Sequence, residues 1–179
     1  MKSTRFLMQE HKLILRALDL LDAMSASAER DSNVDEADLG KVLDFLRWFG
    51  DAHHQAKEET ILFSALKEAA GAQKRPVQHM ILEHEQDRKL IEEIETSVRL
   101  ARIPDFVSSV NKLSSTLRNH IYKEDQIMFE EARRALDSET DDKVLSRLSH
   151  FETEFDKELL DVTLQNLRSL EWKYLRRSA

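Results

Sequence analysis

The sequence predicts an all-α protein made of five helices, four of which form two hairpins. Only 3 Gly and 2 Pro occur among 179 residues, so few residues are present that end a helix or form a tight turn. Hydrophobic residues make up 41% of the chain and recur at steps of three and four, which is the period of an amphipathic helix. A sandwich or barrel of many short strands is therefore excluded.

The length of the chain is suited to one buried core. We predict a helical bundle over residues 1–137 and a C-terminal helix within residues 138–179 that packs on the bundle as part of the same domain. The sequence contains no low-complexity segment or flexible linker between these two parts.

The first two helices are predicted over about residues 3–28 and 36–70, with a loop in the polar run of residues 25–35. The apolar face of the first helix contains Leu7, His11, Ile14, Leu18 and Leu21. The same face of the second helix contains Leu39, Leu43, Leu46, Gly50, His54, Glu58, Ile61 and Ala65.

The third helix is predicted from Pro76 to about Pro104, the fourth over about 105–137 and the fifth over about 141–176. The buried face of the third contains Met80, His84, Asp87, Ile91, Ile94, Val98 and Ala101. That of the fourth contains Phe106, Val110, Leu113, Leu117, His120, Glu124 and Ile127. That of the fifth contains Val144, Leu148, Phe151, Phe155, Leu159 and Val162.

A segment of the second helix is repeated in the fourth. Residues 54–63 align with residues 120–129 and match at His, Lys, Glu, Ile and Phe. A Glu-His pair lies upstream of each copy, as Glu10-His11 and Glu83-His84. Helices one and two are therefore predicted to form one hairpin, and helices three and four a second that faces it across a pseudo-two-fold axis.

Four imidazoles and two carboxylates are predicted to meet where the hairpins face each other. Within each repeated segment a His precedes a Glu by four residues, so both side chains lie on one helix face. Burying such groups without partners costs several kcal/mol per ion, and a bound metal removes that cost. The predicted metal ligands are His11, His54, Glu58, His84, His120 and Glu124.

Two metal ions suit this set better than one, because the two carboxylates can bridge them together with an oxo or hydroxo group. The chain has no Cys, so a metal site must use His, Asp and Glu. Nitrogen and oxygen ligands without sulfur suit iron or manganese and, less exclusively, zinc. We favour a di-iron centre with coordination positions left open for a small ligand.

The other polar and aromatic residues near these motifs receive separate interpretations. His79, Asp125 or an acid of the fifth helix remain open as an additional ligand. His53 is expected beside the site or in the core, Glu59 in solvent, and Phe63 and Phe129 in the core. The residues expected at the surface of the fifth helix are His150, Glu152 and Glu154, and those expected to be partly buried are Trp48 and Trp172.

The charge and hydropathy of the chain limit its partners. A formal net charge of -7 does not provide the basic surface that nucleic acid or anionic lipid requires. No apolar run is long enough for a secretory signal or a membrane span. We therefore expect a cytoplasmic protein with neither nucleic acid nor membrane as a partner.

At the level of these motifs the chain resembles the hemerythrin-like, HHE cation-binding family. The resemblance covers about residues 1–135 and rests on Glu10-His11, residues 53–63, Glu83-His84 and residues 120–125. It implies an up-down-up-down four-helix bundle that holds a non-haem di-iron centre, with the six residues named above at the matching ligand positions.

One departure from the family pattern concerns the third helix. Oxygen-carrying hemerythrins have a second histidine there, four residues from its neighbour, whereas Met80 and Arg88 stand at both such positions around His84. The missing imidazole leaves an additional open position, which favours reaction with peroxide, dioxygen or nitric oxide over reversible oxygen storage. A family branch that repairs nitrosatively damaged iron–sulfur clusters has a similar ligand set, but it typically carries a cysteine-bearing segment.

The resulting hypothesis is a di-iron protein that binds or reacts with a small oxidant, with a diatomic or peroxide ligand and an electron donor not identified by the sequence. Whether it turns over a substrate stays open. One alternative is a gas or redox sensor in which the site alters how the fifth helix docks, motivated by the basic end of that helix at Lys173, Arg176 and Arg177. The other is a metal-free interaction bundle.

Overall fold

The structure is a computed structural model that describes residues 1–69 and 74–175, and within these ranges all regular structure is helical. The α-helices are α1 (Lys2–Asp31), α2 (Glu36–Phe45), α3 (Phe63–Glu68), α4 (Lys74–Arg99), α5 (Ile103–Lys123), α6 (Phe129–Ala135), α7 (Ser138–Glu154) and α8 (Lys157–Tyr174). The π-helical segments are π1 (Leu46–Gln55), π2 (Glu58–Leu62) and π3 (Glu124–Met128). The predicted all-α class is confirmed, while Arg176 and Arg177 lie outside the described residues.

Helix α1 is longer than the sequence pattern predicts. Residues 25–31 continue the helix instead of forming a loop, and the helix ends at Ser32, whose φ is 51°. Ala28 is fully buried in this additional part, so the apolar face still packs there. Asp35 then caps α2 by accepting a hydrogen bond from the amide of Asp38 at 3.1 Å.

Two of the π-helical segments occupy equivalent positions in the internal repeat. In π2 and π3 the carbonyl of the first residue accepts a hydrogen bond from the amide five residues later, which belongs to Phe63 and Phe129 respectively. Each wide turn accommodates one more residue than an α-helical turn, so the buried face beyond it shifts by one position. The predicted core residue Ile127 is consequently 50% exposed, whereas Met128 is buried.

The predicted fifth helix is not continuous but forms α7 and α8. Phe155 is extended, with φ −90° and ψ 141°, and Asp156 caps α8 by accepting a hydrogen bond from the amide of Leu159 at 3.0 Å. This local hydrogen bond competes with a continuous helix and changes the direction of the chain. Leu159 is therefore 42% exposed, and α8 buries Leu167 and Leu170 instead.

The helices place a polar layer between two apolar clusters. Helix α5 packs on both α4 and α1, and α7 and α8 also contact α1. On α1, Leu7 belongs to one apolar cluster and Ile14 to the other; on α4, Met80 and Ile91 are divided in the same way. The histidine of each helix lies between these residues. Among the described helices, none is long and apolar enough to cross a bilayer.

Candidate metal centre

The structure brings together all six side chains that the sequence predicts to converge. They form two overlapping groups in which the possible ligand atoms lie within 4.8 Å of one another. The first group is His11, His54, Glu58 and Glu124, and the second is Glu58, His84, His120 and Glu124. Each group takes both imidazoles from one half of the repeat, and the two groups share both carboxylates.

Each shared carboxylate lies close to imidazoles from both halves. Glu58 Oε1 is 3.4 Å from His54 Nε2 on its own helix, and Glu58 Oε2 is 3.6 Å from His84 Nε2 on α4. Glu124 Oε1 is 3.2 Å from His120 Nε2, and its Oε2 is 3.2 Å from His11 Nε2 on α1. A carboxylate between two nitrogen pairs has the arrangement of a bridging ligand.

The burial of these groups calls for a cation. Glu58 and Glu124 are fully buried, and none of their four carboxylate oxygens has a hydrogen-bond donor among the described residues. His11 Nε2 is likewise buried without a hydrogen-bond partner. Unpaired buried carboxylates are strongly unfavourable. The donor set of imidazole nitrogens and carboxylate oxygens therefore fits a pair of transition-metal ions, and iron is among the metals that it suits.

The other nitrogen of every imidazole in the cluster contacts a carboxylate. These Nδ1 contacts are His11 with Asp125 at 2.8 Å, His54 with Glu10 at 2.8 Å, His84 with Glu59 at 2.8 Å and His120 with Glu83 at 2.9 Å. A carboxylate that accepts a hydrogen bond from Nδ1 fixes the imidazole tautomer and leaves Nε2 free to bind a metal. All four Nε2 atoms face the shared carboxylates.

The carboxylates that hold the histidines follow the two-fold repeat. Glu10 and Glu83 come directly before a His of the cluster, and each contacts the His of the opposite helix in its own half. Lys57 and Lys123 occupy equivalent positions, and each donates a hydrogen bond to the equivalent carboxylate, Lys57 to Glu10 and Lys123 to Glu83. The symmetry therefore extends beyond the six converging side chains.

The charges in the cluster determine where protons lie when no metal occupies it. Burial by itself would lower the pKa of His120, but the charge and hydrogen bonds of Glu124 and Glu83 raise that pKa to about 10. Burial would raise the pKa of Glu83, but hydrogen bonds from His120 and Lys123 lower it to about 2. Glu83 is therefore an ionised acceptor, and metal ions compete with protons for the imidazoles.

Helix α7 breaks the symmetry of the two halves. Glu152 Oε1 accepts a hydrogen bond from Lys57 Nζ at 2.6 Å and lies 2.7 Å from His53 Nε2. The side chain of Lys57 is 0% exposed, whereas that of Lys123 is 22% exposed. Glu10, His53 and Glu152 have a spacing that suits a cation, and the Lys57 ammonium already lies among them.

Two aromatic rings support the histidines from the apolar side. The ring of Phe129 stacks on that of His11 at 5.7 Å with an interplanar angle of 2°, and the ring of Phe63 stacks on that of His84 at 6.1 Å and 15°. Both Phe residues are buried, as predicted. They come from equivalent positions of the repeat, so each half supports the histidine that belongs to a neighbouring helix.

Several residues that the sequence left open now have positions. His79 is largely exposed and pairs with Glu83 at 3.0 Å, so it lies outside the cluster. Asp125 contacts the cluster through His11. The expectation that Glu59 is solvated and Glu152 is at the surface was wrong, since both contact the histidine network. Trp172 is 65% exposed rather than partly buried.

The hydrogen-bonding roles of Glu10 and Glu83 were not predicted, although the sequence contained a signal for them. A Glu directly precedes the histidine of α1 and the histidine of α4, and a Lys precedes each shared carboxylate by one residue. Residues that recur beside the ligands in both halves of a repeat are candidates for holding those ligands in place.

Comparison with known proteins gives one match. The model of the hemerythrin HHE cation-binding domain matches residues 2–132 of the chain. No curated protein and no solved structure matches it.

Proposed function

Because the chain belongs to the family of hemerythrin HHE cation-binding domains, we propose that it is a non-haem di-iron protein that binds or reacts with a small oxidant. The observation that carries the proposal is the pair of overlapping ligand groups that share Glu58 and Glu124. Two ions bridged by buried carboxylates account for charges that the described residues leave unpaired.

The residues have distinct roles in this proposal. His11 and His54 bind one ion, His84 and His120 bind the other, and the two shared glutamates bridge them. When bound, iron supplies the change of oxidation state that reaction with an oxidant requires. The apolar clusters on both sides of the polar layer limit the access of water and strengthen the charge interactions inside it.

The third helix supports the open coordination position. Met80 is buried in an apolar cluster, and Arg88 donates hydrogen bonds to Asp51 at 2.8 Å and to Glu59 at 3.0 Å. Neither residue offers an imidazole or a carboxylate to the cluster. The proposed centre therefore keeps a position for dioxygen, peroxide or nitric oxide.

The arrangement of the whole chain and its setting are part of the same proposal. We propose an up-down-up-down bundle over residues 1–137, with α7 and α8 packed on it as part of one domain within residues 138–179. The contacts of α7 and α8 with α1 support this assignment. We further propose that the protein acts in the cytoplasm and without nucleic acid or membrane as a partner, as its net charge of -7 favours.

Metal quantification together with an ultraviolet–visible spectrum tests the metal assignment. We expect two iron ions per chain and the charge-transfer bands of a bridged diferric pair. Replacing His54 by Ala should lower iron occupancy sharply, while the matched replacement of the exposed His79 by Ala should leave it unchanged. Full occupancy in the His54→Ala variant would show that the ligand assignment is wrong.

A sensor that binds the small ligand without turnover is the second candidate, and the contact of α7 with the site favours it. Glu152 of α7 reaches His54 through Lys57 and Glu10, so a change at the metal can alter the docking of α7. Stopped-flow mixing with peroxide separates the two functions. Turnover with a restored diferric spectrum supports reactivity, and a stable stoichiometric adduct supports sensing.

A further inference from the structure

A small cavity lies beside the proposed metal centre. Its volume is about 20 Å³, and its walls include His54 from one ligand group and His120 from the other. Most of the remaining wall is apolar, with Ile14, Leu46 and Leu117 among the residues that form it. A molecule in this cavity would therefore lie next to a ligand of each metal ion.

Two hydrogen-bond acceptors in the cavity wall lack donors. Asp87 and Gln55 both line the cavity and are buried, and neither Asp87 Oδ2 nor Gln55 Oε1 has a hydrogen-bond partner among the described residues. The other oxygen of Asp87 accepts only a long hydrogen bond from the Thr116 hydroxyl, at 3.4 Å. Nearly all buried polar atoms in proteins have a partner, so these two acceptors indicate a bound molecule that donates hydrogen bonds.

The carboxyl group of Asp87 is not required by packing. Asp87 follows His84 by three residues, and Ile14 follows His11 by the same number, so these two residues are equivalent in the repeat. Both line the cavity. An apolar residue is thus accommodated on one side of the pseudo-two-fold axis, and a buried carboxyl group with one unpaired oxygen occupies the other.

The size of the cavity and its acceptors limit the class of ligand. A volume of about 20 Å³ is close to the minimum that holds one water-sized molecule, which excludes organic substrates. Dioxygen and nitric oxide carry no hydrogen and cannot donate to either acceptor. Hydrogen peroxide is of similar size and has two O–H groups.

We propose that hydrogen peroxide is the ligand of this cavity and that Asp87 and Gln55 are the residues that bind its two O–H groups. This inference rests on the proposed di-iron function and selects one of the small oxidants that the function allows. Asp87 and Gln55 act by orienting the ligand beside His54 and His120.

Two further features agree with this role. Burial raises the pKa of Asp87 to about 6, so near pH 7.5 the carboxyl group is mostly ionised and accepts hydrogen bonds. Asp51 and Arg88 also line the cavity, and both are only partly buried. Their ion pair, at 2.8 Å, lies between the cavity and solvent and separates the ligand from bulk water.

The test compares two probes on the iron-loaded protein at pH 7.5. Hydrogen peroxide has O–H donors, whereas the azide anion has none and is repelled by a buried carboxylate. Replacing Asp87 by Leu should weaken apparent peroxide affinity about tenfold or more, as expected for hydrogen bonds to a charged group. The same change should leave azide affinity, measured by equilibrium titration of the charge-transfer band, unchanged or higher.

Further variants and iron content make the outcomes distinct. Gln55→Leu should weaken peroxide about threefold to tenfold, as for a neutral hydrogen bond, and it decides the question if Asp87→Leu fails to fold. The exposed Glu92 of the same helix provides the control, Glu92→Gln. Equal losses for peroxide and azide, or an unchanged peroxide affinity at full iron content, would overturn the proposal. If the unmodified protein contains no iron, the proposed function itself fails.

Discussion

His54 Nδ1 lies 2.8 Å from Glu10 Oε2, and Glu10 is at the same time the partner of the buried Lys57. Glu10 therefore links the proposed metal ligand to a lysine that is itself held by α7. The equivalent histidine, His120, lies 2.9 Å from Glu83 in the same way, but no residue of α7 extends that contact. The two halves of the site thus share their immediate contacts and differ in the next layer.

Replacing Glu10 by Gln should weaken iron binding. An amide is a poorer acceptor than a carboxylate, so His54 loses part of the interaction that fixes its tautomer and raises its basicity. Loss of such a partner typically costs about 10- to 100-fold in metal affinity. Competition with a chelator of known affinity measures the change. Glu85→Gln, on the exposed side of α4, should have no effect, and an unchanged affinity in Glu10→Gln would contradict the assigned contact.

Replacing Glu152 by Ala should destabilise the protein by about 1–2 kcal/mol, because Lys57 and His53 lose a carboxylate while staying buried. The value is smaller than for a fully buried pair, since the Glu152 side chain is 30% exposed. Urea unfolding gives the free energy. Glu154→Ala, at an exposed position of the same helix, is the matched control, and equal stabilities of the two variants would rule out this role for Glu152.

Replacing Asp87 by Leu should stabilise the metal-free protein, in contrast to its expected effect on peroxide. Burial raises the pKa of Asp87 from 3.8 to about 6, so the ionised group opposes folding at neutral pH by about 2–3 kcal/mol. This penalty is fully present above the folded-state pKa and disappears as the pH falls from about 6 to about 4.

The pH dependence of this difference provides the measurement. The stability gained by Asp87→Leu should be largest near pH 7.5 and should shrink towards zero near pH 4, as followed by urea unfolding of both proteins. A gain that does not change with pH would mean that apolar packing, and not the loss of a buried charge, is responsible.

Iron binding should become tighter as the pH rises. In the metal-free cluster the pKa of His120 is raised to about 10 and that of His11 is raised well above its usual value, so a metal ion must displace protons from these imidazoles. Between pH 6 and 8, both below the pKa of His120, the logarithm of the affinity should rise by about one per pH unit for each proton displaced. Calorimetry in buffers of different ionisation enthalpy counts the protons, and a pH-independent affinity would be inconsistent with the protonated cluster.

The sequence was sufficient to predict the convergence of the six polar side chains. Each lies on an apolar helix face at the same distance along its helix as the others, and burial forces such faces together. The partners of the histidines were harder to predict. Glu59 and Asp125 are only one residue beyond a shared carboxylate, and whether they reach a histidine depends on how far neighbouring helices are rotated, which hydrophobic periodicity does not determine.

The C-terminal part shows a different limit of pattern reading. Apolar residues continue at helical spacing through Phe155, so the pattern predicts an unbroken helix. The break arises from a single capping carboxylate, Asp156, whose hydrogen bond is local and changes no hydrophobic period. The contact of Glu152 with the site follows from how α7 docks, and a residue beyond the matched family region was not expected to take part.

The wide turns at π2 and π3 have a consequence for how this chain tolerates insertions and deletions. Each turn holds one surplus residue, so removing a residue such as Thr60 would restore regular α-helical geometry and leave the backbone without a defect. It would also rotate everything downstream by about 100°, carrying Phe63 away from the ring of His84. A shortened chain of this kind would gain local regularity and lose the alignment of its two halves.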